Sequence, residues 1–198
     1  MIVKVCGMRD ADNIREVEAL HPQWMGFIFW PRSSRYVSER PKYMPTSARR
    51  VGVFVDQDID LVERTARDYA LDIIQLHGSE SPDYARRLRR WKVIKAFNMA
   101  TAADLDQTKV YEGAVDYFLF DTKGQCVGGN GAKFDWTVLS SYQGDTPFLL
   151  SGGIGPDDAE SVKSFHHPRC IGIDLNSRFE TAPGIKNIIQ LKSFIESL

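Results

Sequence analysis

Residues 1–9 read MIVKVCGMR and join a short β-forming run to a cysteine and a glycine, directly before a helical pattern. Successive side chains of a strand point to opposite faces, so Ile2, Lys4 and Cys6 share one side. Cys6 stands at the carboxyl end of this strand, and Gly7 lets the chain leave it abruptly. In a parallel α/β sheet that end is where ligands bind. The stretch therefore predicts a site at Cys6, provided that the rest of the chain supplies such a sheet.

Short apolar runs recur along the 198 residues, and several are almost continuously apolar, as strands covered on both faces are. Eight such runs begin near Ile2, Trp24, Arg50, Asp72, Lys92, Asp116, Thr146 and Cys170. The segments between them mostly follow helical spacing. Eight β-then-α units predict an α/β fold, a compact single (β/α)8 TIM barrel with eight parallel strands.

The helical connections differ in strength. Apolar residues repeat at helical spacing in residues 59–69, 84–91, 159–165 and 188–198. In the second connection Pro41 and Pro45 leave room for only a short helix after Tyr36, and residues 102–111 of the fifth are ambiguous. No linker or low-complexity segment divides the chain, so we expect residues 1–198 to form one domain.

Charge and cysteine usage limit the possible partners. Lys and Arg number 25 against 26 Asp and Glu, a net charge of −1 that argues against a nucleic-acid or anionic-membrane partner. No apolar run approaches about 18 residues, and the chain begins directly with a strand, so we expect neither a membrane span nor a signal peptide. The three cysteines are widely spaced without a C-x-x-C pair, which favours a reducing compartment over a zinc site or disulfide framework. We expect a cytoplasmic protein, monomeric because no exposed apolar stripe is visible, with a homodimer as the alternative.

Ionisable side chains collect where the predicted strands end. They are Cys6 after the first strand, Arg35 after the second, His77 after the fourth, Asp121 after the sixth and Asp174 after the eighth. Each alone has an ordinary explanation, such as a small buried hydrophobe for the cysteine or a turn or helix cap for Asp121. Because all would meet at one rim of one barrel, where burial of such groups is costly, together they favour a catalytic site.

Two loops after the last strands predict an anion site. Gly152 and Gly153 let the backbone approach an anion, and Pro156 suits the first turn of the helix that follows. The loop after the eighth strand offers backbone N–H groups and a hydroxyl from Asn176, Ser177 and Arg178. Barrels often hold phosphate in these two loops, so we expect a small phosphorylated ligand, with a plain tight turn as the alternative.

A third glycine-rich segment, residues 123–131, reads KGQCVGGNG and is too long for a tight connection. It predicts a lid over the site, with an ordinary surface loop as the alternative.

The motifs keep one order along the whole chain. They are KVCGM at 4–8, SRY at 34–36, QLHG at 75–78, DT at 121–122, GGNG at 128–131 with FDW at 134–136, SGG at 151–153 and GID at 172–174. Together they resemble the phosphoribosylanthranilate isomerase family, barrel enzymes of tryptophan biosynthesis. The resemblance implies an Amadori rearrangement of N-(5′-phosphoribosyl)anthranilate to 1-(o-carboxyphenylamino)-1-deoxyribulose 5-phosphate, without a metal or other cofactor.

The resemblance also implies roles for particular residues. Cys6 would be the general base, Asp121 the general acid and Arg35 the partner of the anthranilate carboxylate. His77 and Asp174 would line the site. The phosphate would lie at Gly152, Gly153, Asn176 and Ser177.

These roles set physical demands. A free thiol has a pKa of about 8.5, so Cys6 needs donors or positive charge nearby to work as a thiolate. Asp121 needs a site that disfavours its charge. Two residues depart from the family pattern: Arg178 stands where glycine is expected and would resist a positive φ, and Asn130 replaces a threonine in the predicted lid.

Two other functions stay open at this point. The first is another phosphosugar barrel enzyme. An indole-glycerol-phosphate synthase would need a lysine network and an amino-terminal extension. A metal-using epimerase would need several histidine and aspartate ligands, whereas His77 is the only histidine predicted at the rim. A non-catalytic barrel that binds a phosphorylated ligand would need neither an acid nor a base.

Overall fold

A computed structural model describes residues 1–122 and 135–198 of the chain. Within them eight parallel strands close into a barrel in sequence order, with β1 paired to both β2 and β8. The strands are β1 Ile2–Val5, β2 Trp24–Ile28, β3 Arg49–Phe54, β4 Ile73–Leu76, β5 Lys92–Met99, β6 Tyr117–Thr122, β7 Phe148–Leu150 and β8 Cys170–Leu175. Each begins within two residues of its predicted start, and the predicted barrel is confirmed. The predicted lid and Asn130 lie outside the described residues.

Short helices cover the barrel. They are α1 Ala11–Glu18, α2 Ile59–Asp68, α3 Pro82–Arg87, α4 Ala159–Ser164 and α5 Ile188–Glu196, with 3₁₀ helices at Ala102–Tyr111, Trp136–Ser141, Pro156–Asp158 and Ser177–Phe179. Side chains of Asp10, Asp58, Ser81 and Asn187 accept bonds from the first free N–H groups of α1, α2, α3 and α5. None of the helices in the described ranges is long and apolar enough to cross a membrane.

The second connection has no helix at all, so the short helix expected after Tyr36 is absent. The carboxylate of Glu18 holds this segment in place by accepting bonds from the backbone N–H groups of Thr46 and Ser47, both at 2.6 Å, and from the hydroxyl of Tyr43. Burial opposes the charge of Glu18, but these donors lower its pKa to about 2. The anchored connection carries Arg35 to the barrel mouth.

Alternation along the strands separates a packed layer from an open one. Inward-facing apolar residues fill the lower barrel and include Trp24, Val51, Ile73, Ile94, Leu119 and Leu149. Two residues further along, the same faces of β3, β4, β6 and β7 present Val53, Gln75, Asp121 and Ser151 to a cavity. The register therefore decides which side chains reach the mouth.

A small antiparallel hairpin follows the barrel and was not predicted. It consists of β9 Glu180–Ala182 and β10 Ile185–Lys186. The side chains of Glu180 and Lys186 are almost completely buried. The hairpin thus brings one carboxylate and one ammonium group under the mouth of the barrel.

Candidate active site

All the side chains and loop residues predicted for the site line one cavity at the carboxyl ends of the strands. It holds about 800 Å³ of empty space, counting open solvent at its mouth. The predicted residues on its wall are Cys6, Arg35, His77, Asp121, Gly152, Gly153, Asp174, Asn176, Ser177 and Arg178. The structure therefore brings together groups that are up to about 170 residues apart in sequence.

Cys6 directly follows β1, where its N–H donates to the carbonyl of Leu175 at 2.8 Å. The next residue, Gly7, has a φ of +80°, and a Cβ there would lie 2.7 Å from atoms of both Arg35 and Asn176. Only a glycine accepts this backbone and lets the two side chains approach so closely. The turn thus places Cys6, Arg35 and Asn176 around one corner of the cavity.

The environment of the thiol contains opposing influences. Burial raises the pKa of Cys6, the positive charges of Lys4 and Lys186 lower it, and the negative charge of Asp174 raises it again. The net result is a pKa above the ordinary value. The cations that a working thiolate needs are present, but they do not fully offset desolvation.

Lys4 and Asp174 form an ion pair inside the barrel. They are register partners on β1 and β8, with Lys4 Nζ 2.8 Å from Asp174 Oδ1. Burial by itself would lower the pKa of the lysine, but Asp174 and Cys6 raise it above the ordinary value, so Lys4 stays charged. Asp174 also accepts a bond of 3.4 Å from the hydroxyl of Ser151. The carboxylate of Asp174 therefore balances the cation next to Cys6.

Asp121 lies on the inward face near the end of β6. Burial raises its pKa to about 6, with the charge of Asp174 adding to the effect and the N–H of Thr122, 2.8 Å from Oδ1, opposing it. This carboxyl group holds its proton far better than an exposed aspartate does. It meets the physical demand on a general acid near neutral pH.

His77 is the neighbour of Asp121 across the cavity. Burial lowers the pKa of His77 to about 4, assisted by the charges of Lys4 and Lys95, so the ring is neutral near pH 7. Its Nδ1 lies 2.9 Å from Nε2 of Gln75, and its Nε2 lies 3.6 Å from Oδ2 of Asp121. Because the ring is uncharged, it does not stabilise the ionised form of Asp121 as an imidazolium would.

Arg35 has a protein partner that sequence reasoning missed. Its Nε lies 2.9 Å and its Nη2 2.6 Å from the two carboxylate oxygens of Glu180. Glu180 also accepts a bond of 2.7 Å from Nζ of Lys186. Burial would raise the pKa of Glu180, but the two cations hold it below the ordinary value. One edge of the guanidinium is therefore engaged, and its Nη1 lies outside this pair.

The two predicted anion loops lie side by side. Gly152 and Gly153 have φ values of +87° and +73°, and a Cβ on Gly152 would lie 2.7 Å from the backbone nitrogen of Thr122. Arg178 belongs to the 3₁₀ turn Ser177–Phe179 and is not among the residues with positive φ. The expected conflict between an arginine and a glycine conformation therefore does not arise. A Cβ on Gly155 would lie 3.5 Å from that of Arg178, so this side chain stands beside the first anion loop.

Sequence reasoning missed three charged groups of the site: Lys4, Glu180 and Lys186. A signal existed for Lys4, because alternation puts it on the same face as Cys6. The other two follow the last predicted strand, in a segment without a periodic pattern. Among the described residues, no group of histidine, cysteine and carboxylate side chains is arranged to hold a metal ion.

Comparison with known proteins agrees with this geometry. The family model described as N-(5′-phosphoribosyl)anthranilate (PRA) isomerase matches residues 3–197. The chain is 50% identical to N-(5′-phosphoribosyl)anthranilate isomerase of Parabacteroides distasonis, covering 100% of this chain and 93% of the relative. It is 48% identical to the isomerase of Phocaeicola vulgatus, covering 100% of this chain and 98% of that one.

Solved structures give the same result. The phosphoribosyl anthranilate isomerase of Thermus thermophilus superimposes with a TM-score of 0.85 at 28% identity, covering 100% of this chain and 98% of that one. An isomerase in complex with reduced 1-(o-carboxyphenylamino)-1-deoxyribulose 5-phosphate has a TM-score of 0.82 at 27% identity, with the same coverage. The chain therefore belongs to the N-(5′-phosphoribosyl)anthranilate isomerase family, the aldose–ketose isomerases of tryptophan biosynthesis.

Proposed function

We propose that this chain converts N-(5′-phosphoribosyl)anthranilate to 1-(o-carboxyphenylamino)-1-deoxyribulose 5-phosphate with Asp121 as general acid and Cys6 as general base. The observation that carries the assignment is the pairing of these two groups in one cavity: a carboxyl group with a pKa of about 6 and a thiol flanked by buried lysines. His77, another ionisable group on the cavity wall, has a pKa of about 4 and therefore has no extra proton to donate near neutral pH.

The proposed reaction begins with a proton transfer from Asp121 and continues with a proton transfer to Cys6. Asp121 gives its proton to the furanose ring oxygen while the C1–O bond breaks, and the nitrogen lone pair forms the C1=N bond of a protonated Schiff base. The thiolate of Cys6 then takes the C2 proton. The electrons of the C2–H bond form the C1=C2 bond of an enolamine and neutralise the nitrogen. In the tautomerisation of the enolamine the C2 hydroxyl loses its proton as it becomes the ketone and C1 gains one. Transfer of the proton from Cys6 back to Asp121 through solvent then restores the starting state.

The remaining wall residues would bind and orient the substrate. The edge of Arg35 formed by Nε and Nη2 is engaged by Glu180, so we expect the anthranilate carboxylate at the edge that includes Nη1. The backbone of Gly152 and Gly153, together with Asn176, Ser177 and Arg178, would hold the phosphate. The neutral ring of His77, 3.6 Å from Asp121, would line the site beside the acid, and Asp174 would act through Lys4.

The test is an assay of the purified protein with phosphoribosylanthranilate, followed by the loss of anthranilate-type fluorescence. We expect Cys6→Ser and Asp121→Asn each to lower kcat by about 10²- to 10⁴-fold, the usual range for a general acid or base. Cys170→Ser is the matched control, because Cys170 begins β8 at the opposite end of the strand from the cavity, and it should keep full activity. Normal turnover by either of the two site variants would exclude the corresponding role.

The proposal also covers the cellular compartment, the oligomeric state and the domain organisation of the protein. We propose a cytoplasmic monomer in which residues 1–198 act as one domain. Free thiols at Cys6 and Cys170 support a reducing compartment. Large apolar side chains that are exposed in the described part of the chain come from separate elements: Met1, Leu61, Val110 and Ile189. Light scattering after gel filtration tests the monomer directly, and a mass of two chains would exclude it.

A further inference from the structure

Lys186 is a buried cation that the proposed proton transfers do not yet use. Its ammonium group is fully enclosed and bonds to Oδ1 of Asn176 at 2.8 Å, to the carbonyl of Asn176 at 3.3 Å and to Oε1 of Glu180 at 2.7 Å. Burial lowers the pKa of this lysine, and the carboxylate of Glu180 opposes that effect. Enclosing an ammonium group costs free energy because the charge loses its contact with water. The three bonds offset part of this cost and hold the charge of Lys186 at one place.

That place is the corner of the cavity where Cys6 lies. The side chain of Asn176 approaches Gly7, the residue after Cys6, so closely that a Cβ on Gly7 would lie 2.7 Å from Oδ1 of Asn176. The same oxygen accepts the bond from Lys186. Cys6 is also tied to this corner by its N–H bond to Leu175. The positive charge of Lys186 stabilises the thiolate of Cys6 and lowers the pKa of the thiol.

The charges that face the thiol nearly balance. The described groups packed around it are the cations Lys4, Lys186 and Arg35, the anions Asp174 and Glu180, the neutral His77 and the titrating Asp121. When Asp121 holds the proton that it will donate, the fixed charges sum to one positive unit, which a thiolate cancels. Between the pKa values of Asp121 and Cys6 the two groups share one proton, mostly on Cys6, and the nearby lysines raise the fraction of the form in which Asp121 holds it and Cys6 is a thiolate.

We propose that Lys186 is a positioning residue that stabilises the thiolate of Cys6, with Asn176 and Glu180 fixing the place of its ammonium group. The inference rests on the proposed role of Cys6 as the base. Lys4 supplies a second cation from β1, but its charge is matched by Asp174 at 2.8 Å. Lys186 shares its carboxylate with Arg35, so its charge is less completely matched.

The experiment measures the pH midpoint of Cys6 alkylation by iodoacetamide, resolved from the other cysteines by peptide mass spectrometry. Unlike the absolute rate, the midpoint does not depend on how accessible the thiol is. We expect Lys186→Met to raise it by about one pH unit, which is about a 10-fold loss of rate at any pH below the midpoint. Lys186→Gln keeps a hydrogen-bond donor toward Asn176 and Glu180 and tests the same charge loss in a variant that preserves the bonds. Both should lower kcat near pH 7.

Two controls separate charge from structure. Lys186→Arg keeps the cation and should retain a midpoint near that of the unmodified protein. Lys192→Met removes an exposed lysine of α5 and should leave the midpoint unchanged. A folded Lys186→Met or Lys186→Gln variant with the midpoint of the unmodified protein would overturn the inference. Activity in Cys6→Ser would instead overturn the proposed base, whatever the midpoints show.

Discussion

Gly26 on β2 leaves the space that the thiol of Cys6 occupies: a Cβ on Gly26 would lie 2.7 Å from Sγ and 3.1 Å from the Cα of Cys6. Because the second contact is with backbone, Gly26→Ala must displace the end of β1. Misplacing a reacting group by about 1 Å can cost about 10²-fold, so we expect a loss of that order in kcat. The measurement is steady-state turnover of the purified variant.

A second alanine provides the control for Gly26→Ala. A Cβ on Gly113 would meet nothing within 4 Å, although its φ of +73° makes alanine unfavourable there. Gly113→Ala should therefore lose some stability and keep its activity. Full activity in Gly26→Ala would show that the thiol is not confined by this contact.

The pH dependence of kcat/KM should show a plateau with an acid limb near pH 6. The working form has its proton on Asp121, with a pKa of about 6, and none on Cys6, whose pKa is above the ordinary value. Between the two pKa values the proton resides mostly on Cys6, and the working form is a constant minor fraction. Below about pH 6 both groups hold protons, and above the pKa of Cys6 both lose them, so the rate falls on either side.

The variant Asp121→Asn sharpens this test. Only Cys6 still titrates in it, so its residual rate should rise with pH throughout the range where the unmodified enzyme is level. A rate in the unmodified enzyme that climbs steadily from pH 7 to 9 would contradict the assigned protonation states.

Asp121 should reduce the stability of the fold at neutral and higher pH. Its pKa is raised from 3.8 to about 6, so the folded chain binds the proton more tightly than the unfolded chain, and stability falls as pH rises through that interval. A difference of about two pH units corresponds to about 3 kcal/mol. We therefore expect Asp121→Asn to raise the free energy of unfolding at pH 8 by up to about 3 kcal/mol, with no gain below about pH 4.

Urea unfolding at the two pH values measures this gain. Asp68→Asn, at an exposed position at the end of α2, is the control and should change stability little at either pH. Equal stability of Asp121→Asn and the unmodified protein at pH 8 would show that burial does not raise the pKa of Asp121 to about 6.

Arg178 should contribute a modest, salt-dependent part of phosphate binding. The residue is exposed and stands beside the glycine-rich loop that follows β7. Exposed charges contribute about 0.2–1 kcal/mol, so Arg178→Gly should raise KM by about 1.4- to 5-fold at low salt while kcat changes little. Competitive inhibition by inorganic phosphate should weaken in parallel, and Arg178→Lys should keep most of the effect. An unchanged KM would remove Arg178 from the phosphate site.

Much of the fold could be predicted because each strand carries its own local signal. The run at Val51–Phe54 inside β3 and the run inside β6 are apolar on both faces, and only a covered parallel strand tolerates that. The short helix in the second connection was predicted incorrectly, because hydrogen bonds to Glu18 of α1 hold this segment in an irregular conformation. Pro41 and Pro45 indicate an irregular segment, but no local sequence pattern predicts hydrogen bonds to a carboxylate of another element.

The sequence by itself determined which residues stand at the ends of the strands. Alternation with a period of two sends Lys4 and Cys6 inward together, as it does Gln75 and His77, and glycine at position 7 permits the sharp exit from β1. These are properties of neighbouring residues, so a single chain segment carries them.

Only the tertiary structure decided what charge each group keeps. The charge of Lys186 acts on Cys6, Arg35 pairs with Glu180, and His77 lies beside Asp121 because barrel closure and the final hairpin join distant segments. A pKa depends on burial and on charges within a few ångströms, and neither quantity exists before the chain has folded.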